Sequence, residues 1–127
     1  MERALRTRMK ADAAITAIVG GEVHWKRRPE RSPYPSLVLT LVNSDYTQSH
    51  DGLTGFRPSQ VRFSCFAEDL STAVALRNAV VDVILQSATI DGTEFLVAQA
   101  VSTRSRQTDT DAGVIDQEIV EATLHHT

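Results

Sequence analysis

The sequence predicts an α+β fold in which a single antiparallel or mixed β-sheet carries two main helices packed on one face. Two stretches place apolar residues at helical spacing, and others alternate apolar and polar residues with a period of two. The strand-like stretches follow one another through links of hairpin length, which favours antiparallel neighbours and leaves the helices to cover one side. With 127 residues, 42% of them hydrophobic and 23% charged, the chain has the size and balance of an ordinary globular unit. It shows no internal repeat, low-complexity tract or long linker, so residues 1–127 are expected to fold as one domain.

The elements follow in order. Met1, Leu5 and Met9 recur every four residues among charged neighbours, the pattern of an amphipathic helix. Asp12 can cap a second, short helix carrying Ile15, Ile18 and Val19, and Gly20-Gly21 stops it, since glycine readily adopts the left-handed conformation beyond a helix end. Glu22 to Trp25 fits a short strand. Pro29, Pro33 and Pro35 exclude helix from Lys26 to Pro35, which reads as a basic loop. Ser36 to Asn43 is the clearest strand: Leu37, Leu39 and Leu41 point one way, Val38, Thr40 and Val42 the other. Two nearly apolar faces need cover on both sides, from the chain itself or from a neighbouring subunit. Ser44 to Ser59, with Gly52, Gly55 and Pro58, is too long for a tight turn and reads as a loop carrying the apolar groups Tyr46, Leu53 and Phe56.

Gln60 to Phe66 alternates again, with Val61, Phe63 and Cys65 on one face and Arg62, Ser64 and Phe66 on the other. Asp69 or Ser71 caps the second main helix, which runs to about Gln86. Its apolar stripe is Ala73, Leu76, Val80, Val83 and Ile84, opposite Ser71, Asn78, Asp82 and Gln86. Asp91-Gly92 turns into a strand from about Thr93 to Val101. The polar stretch Ser102 to Gly113, which contains Arg104 and Arg106, reads as a mobile loop. A last strand runs from about Val114 to Leu124. Adjacent apolar Ile119 and Val120 leave its phase open between a bulge and burial on both sides.

Composition excludes several classes of function. The formal net charge is −3, against the marked basic excess that a nucleic-acid-binding protein needs for counterion release. Charge is uneven, however. Arg3, Arg6, Arg8, Lys10, Lys26, Arg27, Arg28 and Arg31 crowd the first quarter, and the remainder is acidic, a distribution that suits the stacking of unlike surfaces. The start of the chain lacks the apolar core of a signal peptide, and no apolar run is long enough to span a bilayer, so a soluble, intracellular protein is expected at synthesis. The lone Cys65 forms no intrachain disulfide.

Catalytic and metal signals are weak. The histidines His24, His50, His125 and His126 show no i, i+4 pair, and one cysteine cannot supply a thiolate cluster, so neither metal nor cofactor is expected. Cys65 sits in an alternating strand beside Phe63 and Phe66, where a free cysteine behaves as a small apolar core group. Ser49-His50-Asp51 are adjacent, whereas triad members converge from separate parts of a fold. No enzymatic activity is therefore expected. Trp25 with Lys26, Arg27, Arg28 and Arg31 has the chemistry of a single-stranded nucleic-acid contact, which gives an alternative reading: a small nucleic-acid-binding module using loop 26–31.

The run Ala4-Leu5-Arg6 through Ala11-Asp12-Ala13-Ala14-Ile15-Thr16-Ala17-Ile18-Val19-Gly20 resembles the opening of the tail-completion, or tail-terminator, family of siphophages, prophages and gene-transfer agents. So do the Pro-rich loop leading to Pro35-Ser36-Leu37-Val38 and the segment Val61-Arg62-Phe63-Ser64-Cys65-Phe66-Ala67 followed by a helix with Ala73 and Leu76. The resemblance implies a structural virion protein of the tail or neck, made in the host cytoplasm, whose subunits form a ring, usually a hexamer. That ring caps the tail tube and joins it to the head or connector. Its implied partners are further copies of the chain, the major tail-tube protein and a head-completion or connector protein, with no membrane and no direct nucleic-acid contact. Lys26, Arg27, Arg28, Arg31, Tyr46, Leu53, Phe56, Arg104 and Arg106 are the expected subunit or tube contacts.

Overall fold

The computed structural model describes residues 1–26, 34–44, 56–110 and 113–127. Its elements run α1 (Glu2–Ala11), α2 (Ala13–Val19), β1 (Val23–Trp25), β2 (Ser36–Ser44), β3 (Arg57–Ala67), α3 (Leu70–Ile84), β4 (Ala88–Ile90), β5 (Thr93–Phe95), β6 (Gln99–Thr110) and β7 (Gly113–His126). The strands form one sheet in the order β1-β2-β3-β7-β5-β4, with β6 also paired to β7. Three helices accompany it, the short one capped by Asp12 beside the two main ones, and the sheet is mixed: β1 runs parallel to β2, from Val23 opposite Leu37 to Trp25 opposite Leu39, while the other pairs are antiparallel. The helix α1 packs against both β1 and β4, the two ends of the strand order, so the sheet curls around it.

The local signals act as their chemistry dictates. Asp12 leaves α1 in an extended conformation and its carboxylate accepts from the Ile15 amide at 3.1 Å, so one residue ends the first helix and caps the second. Gly20 closes α2 at φ 63°, ψ −122°, a conformation open to glycine alone. Asp69, not Ser71, caps α3: its carboxylate accepts from the Thr72 amide at 3.1 Å and from the Ser71 hydroxyl at 2.7 Å.

Directly paired residues of neighbouring strands point to the same face, so the register fixes what each side carries. Leu37 and Leu39 on β2, Val61, Phe63 and Cys65 on β3, and Val120, Ala122 and Leu124 on β7 face the helices. There they meet Leu5 and Met9 of α1, Ile15 and Val19 of α2, and Leu76, Val80, Val83 and Ile84 of α3 in one apolar cluster. Phe63 is wholly buried at its centre, and cutting such a side chain back to alanine costs about 3–5 kcal/mol. The predicted stripe of α3 is buried at every position.

Three expectations need correction, and the expected Asp91-Gly92 turn gains an unforeseen strand before it. The loop expected from Ser44 to Ser59 overlaps strands at both ends, because Ser44 ends β2 and Arg57 to Ser59 begin β3, paired against His126 to Leu124 of β7; residues 45–55 lie outside the described residues. The strand expected from Thr93 to Val101 is interrupted after Phe95. The Leu96 amide donates to the His125 carbonyl and the Ala98 amide to the Ile84 carbonyl, which ties this crossing to both β7 and the end of α3. Asp91 (φ 49°) and Gly92 (φ 80°) form the tight turn of a β4–β5 hairpin, whose first strand the sequence hid in only three residues. Finally, most of the loop expected from Ser102 to Gly113 is strand: Ser102 to Thr110 pair as β6 with β7, from Ser102 opposite Glu121 to Thr110 opposite Gly113.

Two expectations left open also resolve. The strand β7 has no bulge against β3, and burial on both faces explains Ile119 and Val120. Each has a neighbour strand on either side, since β3 lines one edge while β6 and β5 share the other. The apolar faces of β2 are covered by the chain itself from Leu37 to Leu39, leaving Val42 exposed near the end of the strand.

Candidate functional site

The face of the sheet opposite the helices carries the candidate site. Across β2, β3, β7 and β6 the register lines up two rows, Val38–Ser64–Ile119–Arg104 and Ser36–Phe66–Gln117–Arg106. A third row is Thr40–Arg62–Glu121–Ser102. Val38, Phe66 and Ile119 thus lie among the polar groups Ser64 and Gln117, with Arg62 on β3 and Arg104 and Arg106 on the β6 border. A groove of about 270 Å3 runs between them, floored by Val38, Phe66 and Ile119 and rimmed by Lys26, Arg62, Arg104 and Arg106. Lys26 reaches it from the end of β1, where its amide donates to the Leu39 carbonyl at 2.6 Å.

Electrostatics are one-sided. Glu121 is the carboxylate in these rows, and it is already shared: Oε1 lies 3.3 Å from Arg62 Nε and 2.9 Å from Arg104 Nη2. Among the described residues Lys26 and Arg106 have no carboxylate partner. The groove therefore holds a local positive excess above an apolar floor, a combination suited to carboxylates attached to an apolar or extended backbone.

Of the residues singled out from sequence, Lys26, Arg104 and Arg106 come together here although far apart in the chain. Arg27, Arg28, Arg31, Tyr46 and Leu53 lie outside the described residues. Phe56 is half-buried just before β3 and does not line the groove. Arg62 was missed as a site residue, though its place on the polar face of an alternating strand was legible. A separate open cleft of about 550 Å3 lies between α1 and Trp25, with Arg3, Arg6 and Lys10 at its edge and Arg6 Nε donating to the Val23 carbonyl at 2.8 Å.

Reactive groups lie elsewhere and are engaged structurally. Cys65 is fully buried, and desolvation, with the nearby Glu118 carboxylate, pushes its thiol well above the ordinary range. His126 is buried beside Phe95, its Nε2 2.7 Å from the Ser59 hydroxyl and its Nδ1 3.1 Å from the Thr127 carbonyl. A carbonyl only accepts, so Nδ1 carries the proton and Nε2 accepts from Ser59. Among the described residues no cluster of His, Cys, Asp and Glu is arranged to hold a metal, and no helix is long and apolar enough to cross a membrane.

A model of the family described as tail completion protein gp17 matches residues 3–122. Among solved structures, the chain is similar to one from "Virion of native gene transfer agent (GTA) particle", with a TM-score of 0.65 and 18% identity over 100% of this chain and 95% of that one; at that identity the likeness shows the fold. A second solved chain superposes at a TM-score of 0.48 with 16% identity, covering 99% of this chain and 94% of its own. No curated protein matches in sequence.

Proposed function

Since the chain belongs to the tail completion protein gp17 family, we propose that it closes the end of a phage tail tube as one subunit of a ring and joins the tube to the head. It is a phage tail structural protein of the virion tail or neck. The observation that carries this reading is the family match from Arg3 to Ala122, which runs from α1 through most of β7 and so covers the helices and the sheet alike.

The ring, a hexamer in this proposal, forms from identical contacts that are individually weak. Closure multiplies them, and a tube end of the same symmetry raises the effective concentration of each subunit for its neighbours. Lys26, Arg104 and Arg106, exposed on the rim of the groove, belong to the surface proposed for contact with tube, connector or neighbour. The free chain is accordingly monomeric, and the tube end templates the ring. Deletion of the gene is expected to leave tails of uncontrolled length or heads and tails unjoined, as seen by electron microscopy. Tails of normal length joined to heads in the deletion strain would refute the proposal, and a tight ring of purified protein at nanomolar concentration would refute templating.

A further inference from the structure

The outer edge of β6 is the longest unpaired strand edge among the described residues. β6 pairs with β7 on one side and with no other described strand, and it is exposed at every position from Ser102 to Asp109. Such an edge presents a row of backbone donors and acceptors ready for another strand. The same strand carries Arg104 and Arg106 on the groove face, two residues apart, with Lys26 and Arg62 across the floor. We propose that the edge of β6 accepts an extended acidic segment of a partner protein, which adds as a further strand and places carboxylates at i and i+2 beside Arg104 and Arg106.

Four arguments choose this occupant. A strand added to a sheet edge alternates its side chains with the same period of two, so residues two apart on it fall beside Arg104 and Arg106 on one face. The charge they meet is positive and underpaired, since Glu121 is shared between Arg62 and Arg104 and Arg106 has no carboxylate among the described residues. A second copy of the chain offering its own β6 would set Arg104 and Arg106 against the same arginines, a like-charge juxtaposition that opposes pairing. Nucleic-acid phosphates would satisfy the arginines, but they make no use of the backbone edge or of the apolar floor of Val38 and Ile119. The inference goes beyond the assembly role: it fixes the chemistry of the docking segment and the edge that receives it, whichever virion protein supplies the segment.

The test uses the purified full chain and a fluorescein-labelled peptide, matched to β6 in length and alternating Glu with Thr, followed by anisotropy at low salt. The peptide is expected to bind, and Arg106→Glu, at an exposed position, is expected to weaken it roughly tenfold or more while the circular dichroism spectrum stays unchanged. The double variant Arg104→Glu/Arg106→Glu is expected to bind an alternating Lys–Thr peptide instead. Two further acidic peptides, N-methylated on alternate amides in the two possible phases, separate strand addition from plain charge attraction. An added strand uses one set of amides, so one peptide loses binding and the other keeps it. Absence of binding by the acidic peptide, or equal behaviour of the two methylated peptides, overturns the proposal. So does displacement of the peptide by a single-stranded oligonucleotide at lower concentration, which would assign the groove to phosphate, or peptide-suppressed self-association in sedimentation, which would assign the edge to a second copy.

Discussion

Arg8 on α1 donates from Nη2 to the carbonyl of Val83, in the last turn of α3, at 2.6 Å. The same nitrogen reaches the Gln86 carbonyl, and the guanidinium carbon stands 5.6 Å from the centre of the Phe95 ring. A buried cation thereby adds a charged donor to two carbonyls at a helix end and meets the negative end of its dipole. Burial pulls the Arg8 pKa down and Asp12 opposes that fall. Arg8→Ala is expected to destabilise the protein by about 2–4 kcal/mol in urea unfolding, from lost charge-assisted bonds and the ring contact. Arg8→Lys is expected to recover only part of this, because an ammonium on a flexible stem keeps the charge but not the planar fork that bonds the carbonyls and stacks on the ring.

Beneath the middle of α3, Arg77 Nη1 lies 2.6 Å from Glu118 Oε1, and Glu118 is 1% exposed on the helix-facing side of β7. Removing the cation strands a carboxylate in the core. Arg77→Ala is expected to cost about 3 kcal/mol or more, whereas the double change Arg77→Leu/Glu118→Leu returns close to the parent stability or above it. A double-mutant cycle by denaturant unfolding checks both values. Additive losses would mean that the pair is not coupled.

His126 gives the fold a pH response. Burial lowers its pKa from the ordinary 6.5, only partly offset by the Thr127 carbonyl, so the native state favours the neutral ring. The unfolded chain takes up a proton first as pH falls. The stabilisation is complete above pH 6.5 and is lost progressively as the pH drops through the lowered native value. Unfolding midpoints between pH 7.5 and 5 are expected to fall, and His126→Gln to flatten that fall.

Cys65, held neutral by its burial, is expected to resist iodoacetamide in the native protein and to react fully in guanidinium. Native labelling at least roughly a hundredfold slower than in the denatured state would confirm it, since access requires opening of the core. Rapid native labelling would place the thiol at the surface.

Hydrogen exchange distinguishes the two sides of β6. Amides of β7 from Asp116 to Glu121 are expected to be the slowest, being flanked by β3 and β6, while β6 amides alternate between protected and unprotected. Uniformly fast exchange from Ser102 to Asp109 would restore the loop that the sequence suggested.

That contrast shows where the sequence could be read. Asp12 and Asp69 announced their helices because capping is local chemistry, and the stripe of α3 was visible because a helix over a core must repeat its apolar positions. The strand β6 was missed for the converse reason. Exposed on both faces, it has no apolar alternation, and only the spacing of Arg104 and Arg106, with Thr and Gln between turn signals, hinted at a period of two. β4 and β5 were obscured by brevity. The groove was half legible: sequence supplied Lys26, Arg104 and Arg106 as cations in search of a surface, but only the register of four strands could bring them beside Arg62.

The last element in chain order, β7, is also the one that β3, β5 and β6 all pair with. On the ribosome, β2 and β3 can pair early, but the second edge of β3 stays empty until the residues after Gly113 emerge. The groove, whose floor and border come from β7 and β6, therefore does not form before β7 has been made. Docking of the segment proposed for β6 waits until β7 has paired with β3 and β6.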